Sequence, residues 1–234
     1  MGSLPRSEAP SGDPPPDEAP GGEGKRPYRS RVRFEQAERT KNRICEAAAP
    51  LFAEHGYART SVRQIAAAAG VAVETIYAMG DKPEVFLRAF ELFMRGNVHG
   101  TPLLELERVA PATEATTLRE FLRIVTDFVV DSNQRSVRLW TAFVEGANSN
   151  ARLATGYADF MTQMRSQGAK VLSYAVHRGL CAQPDEPSYT LDAIWATLHP
   201  SQYDLLVTYA GWQRDRYQAW LISTIEDILN RASR

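Results

Sequence analysis

The sequence predicts an all-α protein. From about residue 35 apolar residues recur with the helical period, and no stretch alternates convincingly with period two. Two short helical segments, 61–68 and 73–78, are separated by a break at Gly70, the pattern of two helices joined by a tight turn. These observations divide the chain into a Pro/Gly-rich tail with a basic end (1–33), a three-helix unit (34–82) and a longer helical domain (83–234).

The tail comes first. Half of the 14 prolines and five of the 15 glycines fall in the first 27 residues, where large apolar side chains are almost absent. Burial there does not offset the entropy of ordering the backbone, so residues 1–30 are expected to be disordered. Its end turns basic, with Lys25, Arg26, Arg29, Arg31 and Arg33 within nine residues. That run reads either as a solvated charge run or as an arm lying along nucleic acid.

In the first helix Ile44, Ala47, Ala48, Leu51 and Phe52 form one apolar stripe, with Gly56 as a C-terminal cap. Ser61 and Gln64 have capping-box spacing at the start of the second helix. Gly70 suits the left-handed turn before the third. A fourth helix opens at Lys82-Pro83, with Asp81 as its cap. Further helices are expected near 115–131, 134–147, 150–178, 189–208 (interrupted at His199-Pro200) and 213–232.

Charge points to a partner. The net charge of −1 hides a net −4 over residues 1–24, +5 over 25–82 and −2 over 83–234. A basic block between acidic ones suggests a local polyanion contact. The paired helices supply a geometry for it. The major groove of B-DNA admits one helix, and the helix before it braces against the backbone. Ile65, Ala66, Val71 and Ile76 would form the small core, leaving Ser61, Arg63, Gln64, Glu74, Thr75, Tyr77 and Lys82 to face outward.

The extended pattern is more specific. Ile44-x-x-Ala47-Ala48-x-x-Leu51-Phe52-x-x-x-Gly56-Tyr57, then Thr60-Ser61-Val62-x-x-Ile65-Ala66-x-x-Ala69-Gly70-Val71, then Thr75-Ile76-Tyr77 and Lys82, closely resembles the TetR family of bacterial transcriptional regulators. The stretch from Leu198-His199-Pro200 to Trp220-Leu221 also looks like the C-terminal part of some actinobacterial members. The resemblance implies a helix-turn-helix DNA-binding domain followed by a helical ligand-binding and dimerisation domain. It further implies a cytoplasmic, ligand-responsive homodimeric repressor that binds a pseudo-palindromic double-stranded operator and is released by a small-molecule effector.

By the same resemblance Tyr77 and Lys82 would contact phosphates. Ser61, Arg63, Val73, Glu74 and Thr75 would sit at the DNA surface, joined by the first-helix cations Arg39 and Lys41. Glu74 has two readings, a partner of the helix N-terminus or an acceptor for a cytosine amine. The spacing from Tyr77 to Lys82 is one residue shorter than the family pattern, with Met79 in the apolar role.

Of the second domain's aromatic and thioether groups, Phe128, Trp140, Phe143, Met164, Tyr174 and Trp195 are the candidate walls of an apolar pocket. Dimerisation is expected through the last two helices, whose stripes Leu191/Ile194/Leu198 and Leu221/Ile225/Ile228/Leu229 look too apolar for one subunit.

Other classes are disfavoured. No GxSxG, P-loop or GxGxxG motif is present, and the four histidines lack metal-ligand spacing, so neither an enzyme nor a cofactor or metal is expected. The alternative is a helical protein-interaction adaptor without DNA binding, which would have no use for the basic block. Two cysteines, Cys45 and Cys181, exclude a disulfide framework. No apolar run reaches membrane-span length and no signal-peptide core opens the chain, so an intracellular protein without membrane contact is expected.

Overall fold

A computed structural model describes Gly2 and residues 25–95 and 101–232. The chain falls into two compact units, 1–38 and 39–234. Of the tail expected to be disordered (1–30), residues 3–24 lie outside the described residues, as do the side chains of the basic run at 25–33, whereas the backbone of 25–30 is helical.

Helix α1 spans Lys25–Arg59 and starts well ahead of the expected residue 35. Pro27 falls in its first turn, where a proline is tolerated because that backbone N–H has no partner inside the helix. Helical geometry is interrupted at Gly56 (φ 77°, ψ 167°), where the sequence placed a cap. Beyond it the Thr60 hydroxyl donates to the carbonyls of Leu51 (3.0 Å) and Gly56 (2.9 Å), fixing the exit of the chain. Then come α2 (Val62–Ala69), α3 (Val73–Met79) and α4 (Lys82–Arg95).

The second part consists of α5 (Leu118–Ala147), α6 (Ala151–His177), α7 (Pro187–Leu198), α8 (Pro200–Tyr203) and α9 (Arg214–Arg231). Two short 3₁₀ turns, Leu103–Glu105 and Ala110–Glu114, precede α5, and a π-helical stretch, Asp204–Tyr209, follows α8. The break at His199 is as the sequence predicts. Its extended backbone (φ −62°, ψ 140°) is the conformation that the following proline demands.

α5 corrects the sequence reading, which placed two helices at 115–131 and 134–147. The polar pair Ser132-Asn133 falls between those two expected helices, yet both residues are buried within one helix. Ser136 donates to the Ser132 carbonyl (2.7 Å), and Asn133 Nδ2 donates to the Leu198 carbonyl (3.3 Å). Polar side chains with such partners interrupt nothing.

One core joins Ile44, Phe52, Ile65 and Ile76 to Phe86 and Phe90 of α4 and to Phe143 and Leu153 of α5 and α6. A second gathers Leu106, Val109, Phe121 and Leu122 with Ile225 and Leu229 of α9. Arg214, opening α9, donates to Asp127 and Asp131 of α5 at 2.7 Å each, and Arg108 also reaches Asp131. Burial pushes the Asp131 carboxyl up, but the hydrogen bonds from Arg108 and Arg214 outweigh it and hold its pKa below the ordinary value.

Candidate nucleic-acid interface and cavity

The interface is built from capped helices. Ser61, in extended conformation, accepts from the Gln64 N–H (3.3 Å), and the Gln64 side chain accepts from the Ser61 N–H (2.8 Å). This reciprocal box satisfies two donors that a helix start leaves unpaired. At the other end Gly70 is left-handed (φ 63°, ψ 39°), and the Val71 N–H closes onto the Ala66 carbonyl (3.0 Å). That turn sets the direction of α3. Ile65, Ala66, Ala69 and Ile76 are buried between α2 and α3.

What remains outward is polar. Ser61, Arg63 and Gln64 are exposed on α2, and Glu74 and Tyr77 on α3. Tyr77 is 62% exposed, unusual for so large a ring and suited to contact with a partner. Val73 and Thr75 are half-buried in the first turn of α3, the end that meets base edges when such a helix enters a groove. Arg39 is exposed and Lys41 half-buried on α1. Glu74 sits in the first turn of α3, where its charge complements the helix dipole.

Lys82, the other phosphate contact that the resemblance implies, opens α4 beside Tyr57. Its ammonium lies 4.3 Å from the centre of the Tyr57 ring and donates to the Ala58 carbonyl (3.4 Å). Burial lowers its pKa. The shortened turn, ending at Gly80 (φ 153°), brings α4 in so tightly that a Cβ at Gly80 would lie 2.6 Å from Glu84 Cγ. Met79 is half-buried against the core, in the apolar role read from the sequence.

In the second part a cavity of about 150 Å³ opens between α5, α6, α7 and α9. Its wall also includes Met94, near the end of α4. Of the six pocket residues proposed from sequence, Phe128, Met164 and Trp195 line it, whereas Trp140, Phe143 and Tyr174 do not. Trp140 and Phe143 belong to the first core, among Phe90, Tyr157 and Phe160. Tyr174 stacks on Phe121 (6.2 Å), and its hydroxyl donates to the Thr113 carbonyl (3.2 Å).

Sequence reasoning missed the polar lining residues Ser132, Asn133, Gln167 and His199. Polar residues are frequent along α5, so nothing in the sequence marked Ser132 and Asn133 as inward-facing. His199 packs edge-on against Trp140 (4.9 Å) and Trp195 (5.9 Å), and burial lowers its pKa. Its Nδ1 accepts from the Ser201 N–H (3.3 Å).

Of the stripes assigned to dimerisation, all but the half-buried Ile228 pack inward. Leu191, Leu221, Ile225 and Leu229 are buried within this chain, and Ile194 and Leu198 pack partly against the second core. Leu221 packs with Tyr203 and Tyr217, and the others are absorbed by the cavity wall and the segment around Leu106 and Val109, whose 3₁₀ turns leave no periodic mark in the sequence.

The fold and its exposed face define a helix-turn-helix, DNA-binding transcriptional regulator. Residues 44–79 match the model of the bacterial regulatory proteins of the tetR family. Over that segment the chain is similar to the TetR family of regulators. Its fold is similar to that of a TetR-family transcriptional regulator of Mesorhizobium loti, with TM-score 0.65 and 18% identity over 85% of this chain and 98% of that one. It is also similar to a transcriptional regulator of Rhodococcus (0.63, 20%, 83% and 98%). A third similar structure is the fatty acid degradation regulator FadR of Bacillus halodurans (0.60, 21%, 81% and 94%). No curated protein matches the chain. Among the described residues no helix is long and apolar enough to cross a membrane, and no three His, Cys, Asp or Glu side chains gather as a metal site.

Proposed function

We propose that this regulator is a homodimeric repressor of the cytoplasm that leaves its operator when a small molecule occupies the cavity. One observation carries the reading. α4 begins at Lys82, directly after the α3 turn, and Met94 near its other end is part of the cavity wall. A ligand there touches the same rigid helix that positions the DNA-binding unit. The ligand moves the equilibrium only by its difference in affinity for the DNA-bound and released shapes.

Arg63, Thr75 and the α3 N-terminus face the bases, and Tyr77 meets a phosphate. Ser61, Val73, Glu74, Arg39 and Lys41 complete the surface. The dimer forms through the solvent faces of α7 and α9, which leaves the inward stripes to the monomer core. Two α3 helices related by a two-fold axis then fit a pseudo-palindromic site.

The experiment is a gel shift of the full chain against DNA from its own upstream region, at several salt concentrations, with sedimentation in parallel. Binding should fall steeply with salt. Tyr77→Ala should weaken every sequence alike, and Arg63→Ala should change base preference. A monomer at micromolar concentration, or a Tyr77→Ala protein that binds as tightly as wild type, contradicts the reading.

A further inference from the structure

The cavity wall carries no charge. Among the described residues that line it there is no Asp, Glu, Lys or Arg. The one titratable group, His199, is fixed as the neutral tautomer, since Nδ1 accepts a backbone N–H and Nε2 is then the donor. An ion entering this site would leave water without a counter-charge, which is heavily disfavoured.

The shape is as telling as the chemistry. The α5 lining runs from Leu118 to Asn133, about 22 Å at the rise of an α-helix. A similar volume of about 150 Å³ gathered in one place takes a single benzene ring. Drawn out along two helices, it fits a thin chain and not a fused ring system. Met94, Met161 and Met164 add unbranched, adaptable wall.

The cavity also has two different ends. On α5 the lining closes in Ser132 and Asn133, and Asn133 is tied to Leu198, next to His199. Gln167 on α6 accepts from the Leu103 N–H (3.2 Å), so its amide nitrogen is left as a donor. The wall at Leu106, Leu118, Phe121 and Leu229 is apolar.

We propose, building on the effector reading above, that the cavity takes a slender uncharged molecule, a flexible hydrocarbon chain ending in a hydroxyl, carbonyl or amide group. The polar end lies by His199 and Asn133, and the chain runs toward Leu106 and Leu118, with Gln167 as a further polar group of the wall.

The test uses the full chain with 1-decanol, decanamide and decanoate, followed by thermal unfolding and titration calorimetry. At neutral pH the two neutral compounds should raise the melting temperature and bind at least about tenfold more tightly than decanoate. That gap should narrow as pH falls toward the carboxyl pKa, about 4–5. Val171→Trp and Leu172→Trp, two partly buried wall positions, should each abolish decanol binding with helical content unchanged. Decanoate binding as tightly as decanol at neutral pH overturns the ligand class and leaves the effector reading standing. Binding of none of the three likewise overturns the class. Decanol binding that survives both tryptophan variants overturns the site, and the effector reading with it.

Discussion

Arg152 of α6 donates from Nη1 to both carboxylate oxygens of Asp81, at 3.0 Å each, and from Nη2 to Glu84 (2.5 Å). α6 is thereby pinned to the turn that separates α3 from α4. The α6 face farther along lines the cavity, so the pin connects the two functional regions. Arg152 is about half exposed, and such pairs contribute little to global stability. Arg152→Ala should lower it by no more than about 1 kcal/mol. Amide hydrogen exchange over residues 80–86 should nevertheless speed up, and exchange as slow as in wild type would show that the pin holds nothing.

Two glycines bound α3 and should respond differently to alanine. At Gly70 nothing lies within 4 Å of an added Cβ, so only the left-handed backbone resists, at about 1–2 kcal/mol. At Gly80 the added methyl would overlap Glu84 Cβ and Cγ, and the φ of 153° is also unfavourable. Gly80→Ala should therefore lose more, roughly 2–4 kcal/mol. Denaturant unfolding of the two variants ranks them, and the reverse order would contradict the tight α3–α4 turn.

Ile225 is 2% exposed in the second core. Ile225→Asp should leave a charge without a partner inside the monomer and destabilise it by about 3–5 kcal/mol. A folded, helical but monomeric variant is the opposite outcome and would return this residue to the dimer interface.

His199 gives a pH signature. Burial lowers its folded pKa, so below about 6.5 the unfolded chain binds more protons than the folded one. Stability should fall as pH drops from 6.5 through the lower folded value, and hold above it. His199→Gln should flatten that part of the pH profile in thermal melts. An unchanged profile would mean that another group is responsible.

The DNA-binding unit was legible because its information is local. Capping at Ser61 and Gln64, the glycine at 70 and the spacing of Ile65 and Ile76 all act within a few residues. The cavity was not, because its wall is assembled from segments far apart in sequence. Aromatic content alone did not separate Trp195, which faces the cavity, from Trp140, which fills the neighbouring core. The inward turn of Ile225 was hidden for the same reason: its partners near Leu106 and Val109 carry no helical period. Lys82 was assigned by its resemblance to the lysine that opens the fourth helix, and its neighbour, the Tyr57 ring 25 residues earlier, left no mark in the sequence.

The length of α5 has a consequence for how this regulator melts. One uninterrupted helix supplies Phe143 to the core of the DNA-binding unit and Phe121 to the core beside the cavity. Unfolding either end strips side chains from the packing of the other, so the two regions behave as one cooperative unit with a single transition. A fragment cut at residue 82 would lose Phe86 from against Phe52 and Tyr57, and with it Phe143, which packs on Phe86. The reader of DNA is thus not a detachable module but one end of a shared interior.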